Sequence, residues 1–84
     1  MNPDHFQAQQ ALTQAKSALS RGTRADARWW AQRALSFSPE LEEAWLILSI
    51  VASPRASLFY LKHALQINPD SLRARKGMHW AIRR

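Results

Sequence analysis

Apolar residues recur along this chain at intervals of three and four. Leu58, Leu61, Ala64 and Leu65 form one such series, and Ala27, Trp30, Ala31 and Ala34 another. That is the spacing of one face of an α-helix, and no segment alternates as a half-buried strand would. Cap signals separate the helical stretches. Asn2-Pro3, Ser38-Pro39, Ser53-Pro54 and Asn68-Pro69 each set a capping residue before a proline. A Ser or Asn oxygen can accept from the free amides of a helix start, and proline suits the first helical position. A fifth start reads Gly22-Thr23-Arg24-Ala25-Asp26, with Thr23 as cap and an acid three residues on. The pattern predicts an all-α fold of about five helices, over roughly 3–20, 24–37, 40–52, 54–67 and 70–82.

One helix ending occurs twice. Ala34-Leu35-Ser36-Phe37-Ser38-Pro39-Glu40 returns as Ala64-Leu65-Gln66-Ile67-Asn68-Pro69-Asp70. A duplicated ending marks a repeat protein, and repeat proteins act by presenting a surface. The first unit has small residues at Ala15 and Ala18, then Gly22, Ala27, Ala34 and Pro39; the second supplies Trp45, Leu48, Ser49, Ala52, Ser57, Ala64 and Pro69. In this phase the residues resemble the tetratricopeptide repeat (TPR) family, which stacks antiparallel helix pairs from units of about 34 residues. The chain departs from the pattern at Ala11 and Gln14, and at Arg75, where the family prefers Trp. The resemblance implies a right-handed superhelical stack forming one TPR-like domain over residues 1–84. Repeat 1 would span about 5–39, a shortened repeat 2 about 40–69, and a closing C-terminal helix about 70–83. Ala18 precedes Ala27 by nine residues, but the equivalent Ala52 precedes Ser57 by five. The loss is close to one helical turn. It reads either as a tolerated loop deletion or as a groove opened at one edge.

Composition narrows the function. The 84 residues support one domain with a modest core, and 46% apolar content excludes disorder by composition. The apolar run from Ala44 to Ala52 is too short to cross a bilayer, so no membrane partner is expected. No cysteine is present, which excludes disulfides and thiol catalysis, and the polar N-terminus shows no signal peptide; both fit a cytoplasmic location. His5, His63 and His79 are too scattered to suggest a metal site. Glu40, Glu42 and Glu43 read as carboxylates offsetting a helix dipole rather than as an acid–base pair. With only Gly22 and Gly77, there is no phosphate-cradling loop. The expectation is a non-enzyme without cofactor, metal or catalytic residues.

Trp45 and Trp30 read as packing residues, while Trp29 and Trp80 are open to either packing or contact with a partner. The net charge of +6 invites acidic partners. Arg21, Arg24, Arg28 and Arg33 gather around the second helix; Arg73, Lys76 and Trp80 form a stripe on the fifth, with Arg83 and Arg84 beyond. The resemblance implies peptide contacts on a concave face lined by the first helix of each unit. There it places Leu12, Lys16, Glu43, Leu46, Ile50, Arg73, Lys76 and Trp80, an apolar centre with basic edges. The family's clamp for a chaperone's carboxylate tail is not expected, since only Arg73 fits it. The leading expectation is a scaffold-type protein-interaction module that docks an acidic and apolar peptide or helix. Nucleic-acid binding through the arginines and self-association of an incomplete stack are the rivals.

Overall fold

A computed structural model describes residues 3–83; Asn2 of the first cap and Arg84 of the basic stripe lie outside them. Five helices follow one another: α1 (Pro3–Ser20), α2 (Arg24–Phe37), α3 (Glu42–Val51), α4 (Pro54–Ile67) and α5 (Leu72–Arg83). No strand occurs among the described residues. Each helix packs on its neighbour in sequence, and α3 also touches both α1 and α5. By contrast, α2 and α4 do not come within backbone packing distance. The helices therefore form two layers, α1, α3 and α5 in one and α2 and α4 in the other. The Cα envelope of 40 × 27 × 16 Å agrees, because its short dimension is the depth of two packed helices.

Gly22 ends α1. Its φ of +78° is one that only glycine adopts without strain. The Gly22 amide donates to Leu19 O (3.1 Å) and the Thr23 amide to Ala18 O (3.0 Å), which closes the helix end. Thr23 is not the side-chain cap that the sequence suggests: its hydroxyl donates to Ala18 O (2.9 Å) and so serves the helix before it. Ser53-Pro54 behaves as expected, with Ser53 Oγ accepting from the Ala56 amide (3.4 Å).

The other two proline steps are corrected. Helices α3 and α5 begin at Glu42 and Leu72, each two residues later than the caps suggest. Ser38 and Asn68 close the preceding helices, donating from their amides to Ala34 O and Ala64 O at 2.9 Å. Each then opens a β-turn in which the amide of Leu41 or Ser71 donates back to its carbonyl (3.2 and 3.1 Å). Ser or Asn first and Pro second is a turn preference as much as a helix-start preference. The side-chain cap of α5 is Ser71, whose Oγ accepts from the Ala74 amide (3.2 Å).

The two turns share a further bond. Trp45 Nε1 donates to Pro39 O (2.8 Å), and Arg75 Nη2 donates to Pro69 O (2.9 Å). Arg75 thus replaces the tryptophan of the preceding unit in hydrogen bonding, although not in apolar character.

The core is mostly alanine. Ala8, Ala15, Ala18, Ala27, Ala31, Ala34, Ala44, Ala64 and Ala74 are fully buried. Small side chains let helix axes approach closely, and larger ones fill the remaining space. One cluster joins Leu12, Ile47, Leu48 and Val51 to the alanines of α1 and α2; a second joins Leu46, Leu61, Ala64 and Ala74. Trp45 packs against both clusters but is only half-buried, stacked on His63 at 4.3 Å. It bridges the clusters rather than filling the centre of one. Trp30 packs on the first cluster, while Trp29 is exposed and meets Trp30 edge-on at 4.8 Å.

Candidate interaction surface

Equivalent positions on α1, α3 and α5 have two different fates. Leu12, Leu46 and Lys76 occupy one position in successive units. Leu12 and Leu46 are buried, in clusters with Ala44 and with Ala74 respectively, so they pack one unit on the next. Leu12 is therefore a packing residue rather than part of an open groove floor, and Leu46 reaches the surface only as the buried base of the depression that holds Glu43 and Arg73. Lys76 is exposed and sits with Arg75, His79 and Arg83 on the outward side of α5.

Lys16, Ile50 and Trp80 occupy the second position, and all three are exposed. Lys16 Nζ pairs with Glu43 Oε2 at 2.6 Å, bridging α1 and α3. An exposed pair of this kind contributes little stability, about 0–1 kcal/mol. Arg73 shares a depression with Glu42, Glu43, Leu46 and Asp70, and Lys16 is not in its lining. The eight expected residues do not share one cavity: Glu43, Leu46 and Arg73 line one depression, Lys76 and Trp80 a second, and Ile50 and Trp80 a third cavity.

That cavity is a cleft of about 530 Å³ between α3, the start of α4 and α5. Ile50 and Trp80 are 52% and 54% exposed, so each keeps about half its surface for a ligand. Gly77 lies between them in the lining, and Ser49, Ala52, Pro54 and Ser57 form the wall. The wall is the hairpin that lost a turn: α3 ends at Val51 and α4 starts at Pro54. At the rim, Arg24 Nη2 donates to Ile50 O (3.4 Å) across from α2. A guanidinium at the carboxyl end of a helix is favourably placed in its dipole. It can also meet an incoming carboxylate.

Arg24 and Gly77 are the site residues that repeat phase alone does not single out. The four-residue deletion marks the edge on which the cleft opens, but it does not point to Arg24 on α2 or Gly77 on α5. Trp80 lines both this cleft and the depression along α5. Among the described residues, no group of His, Asp and Glu converges as a metal site, and no helix is long and apolar enough to cross a membrane. No family model matches the chain, and no curated protein is detectably similar to it.

Proposed function

We propose that the chain is a TPR-like, non-catalytic interaction module that docks an acidic and apolar peptide of a partner protein. The observation that carries the reading is the Ile50–Trp80 cleft, open at the shortened hairpin and rimmed by Arg24. The repeated turns and the shared layer of α1, α3 and α5 support the repeat reading. Covering the exposed half of Ile50 is worth about 1 kcal/mol, and an aromatic anchor such as Trp80 more. Arg24 adds orientation and encounter rate rather than most of the affinity. A cytoplasmic setting is part of the same proposal.

The experiment is selection from a displayed random-peptide library, followed by titration of the winning peptides. Enrichment of large apolar residues beside Asp or Glu is expected, with binding lost in Ile50→Ala/Trp80→Ala. Leu46 is unsuitable for this test because its removal would damage the core. Selected peptides that bind the double variant equally well would refute the cleft. Binding of oligonucleotides alone, or self-association that excludes peptide, would refute the reading as a whole.

A further inference from the structure

Helix α5 repeats α3 position for position on its inward side, with smaller or more flexible residues. Ala44, Ile47, Leu48 and Val51 correspond to Ala74, Gly77, Met78 and Ala81, and these hold each helix on the one before it. The two helices diverge on the next face. On α3 that face carries Glu42, Trp45 and Leu46, and α4 covers it. Asn68 Nδ2 donates to Glu42 Oε1 (3.0 Å), His63 stacks on Trp45 at 4.3 Å, and Leu61 shares a cluster with Leu46. On α5 the corresponding face carries Leu72, Arg75 and Lys76, continued by His79 and Arg83. No helix within residues 3–83 covers it, and a depression of about 490 Å³ runs along it.

We propose that this face of α5 takes an acidic amphipathic helix of a partner protein, in the position that α4 takes on α3. Charge complementarity selects the occupant. Arg75, Lys76 and Arg83 line the depression with His79 and Trp80, and among the described residues no carboxylate does. A helix with Glu or Asp every three or four residues would set carboxylates where Tyr60 and His63 meet Trp45 on α3. A second copy of this chain fits poorly. The protein carries +6, and none of its own helices has a row of acids along one face. A phosphate backbone also fits less well, because Leu72 and Ile82, 69% and 67% exposed, flank the cations. Exposed apolar edges suit the apolar side of a helix and add nothing to phosphate binding. The surface shares Trp80 with the Ile50 cleft but does not include Ile50, so Ile50→Ala separates the two readings.

The probe is a fluorescein-labelled amphipathic peptide of about five helical turns, with Glu at alternating three- and four-residue spacings beside a leucine face. Its lysine-for-glutamate counterpart and a single-stranded oligonucleotide are run beside it, with anisotropy as the readout at near-physiological salt. The acidic peptide is expected to bind and gain helicity. Lys76→Glu/Arg83→Glu should weaken it about tenfold or more, through loss of attraction and added repulsion. Ile50→Ala should leave it unchanged. The substituted residues are exposed and far from the core, and circular dichroism checks that the helices persist. If the reversal unfolds the chain, Lys76→Gln/Arg83→Gln gives the same comparison. Equal binding of the lysine peptide, unchanged affinity in both charge variants, tighter binding of the oligonucleotide, or a dimer that closes this face would each overturn the proposal.

Discussion

Replacing Gly77 by alanine sets two effects of similar size against each other. In a helix interior alanine is favoured over glycine by about 0.8–1.0 kcal/mol. Against this, a Cβ on Gly77 would lie 3.1 Å from both Leu61 Cδ1 and Leu61 Cδ2. Comfortable carbon contacts need about 3.5–4.0 Å. Both methyls are met at the same distance, so a small rotation of the isopropyl group cannot clear them together. Leu61 is 1% exposed and has no solvent to retreat into. Overpacking of this kind costs about 1–3 kcal/mol, so Gly77→Ala should destabilise by up to about 2 kcal/mol after the propensity gain. Near the middle of that range, the melting temperature would fall by about 4–8 °C. The decisive measurement is a double-mutant cycle with Leu61→Ala, followed by urea unfolding in a stabilising osmolyte. Leu61→Ala alone should cost about 2–5 kcal/mol. In that background Gly77→Ala should change sign and stabilise by about 1 kcal/mol, because the clash is gone and the propensity remains. If Gly77→Ala stabilises the unmodified protein by the full propensity and the two changes simply add, α5 does not approach α4 as described.

Three further outcomes follow from local geometry. Gly22→Ala should cost about 1–2 kcal/mol in chemical denaturation purely through the backbone, since φ is +78° and no atom lies within 4 Å of the added methyl. Ser71→Ala should cost about 1 kcal/mol through loss of the α5 cap, with reduced amide-exchange protection confined to the first turn of that helix. A Lys16→Met/Glu43→Gln cycle should return a coupling of only about 0.2–1 kcal/mol, shrinking with added salt, because both side chains are about half exposed.

The helices were legible because their periodicity and punctuation are strong, but the starts of α3 and α5 were displaced. Ser38-Pro39 and Asn68-Pro69 satisfy the chemistry of a helix start and of a turn equally well. Only the hydrogen bonds of the preceding helix decide between the two. Repeat phase put Leu12 and Leu46 on the same side of their helices as Lys16 and Ile50, yet the first pair is buried and the second exposed. Four residues along a helix is about 40° of rotation. That is enough to turn a side chain from the neighbouring unit towards solvent, and a sequence does not show how close the next helix lies. The cleft was half visible: the missing turn located it, while Arg24 reaches it from a different unit and required the tertiary structure.

The alanine-rich core has a consequence for how this protein can be mapped by mutation. Alanine scanning, the usual tool for finding structural residues, cannot act where nature has already placed alanine. A scan would show a quiet interior with a few sensitive points at leucine, isoleucine and tryptophan, and would pass over the helix–helix contacts altogether. The informative scan here runs upward in size. Enlarging Ala15, Ala31, Ala64 or Ala74 to leucine asks directly whether two helices touch, and each such change should cost about 1–3 kcal/mol where they do. For natural variation the same asymmetry holds: the interior tolerates almost no growth, so sequence drift is left to the exposed faces.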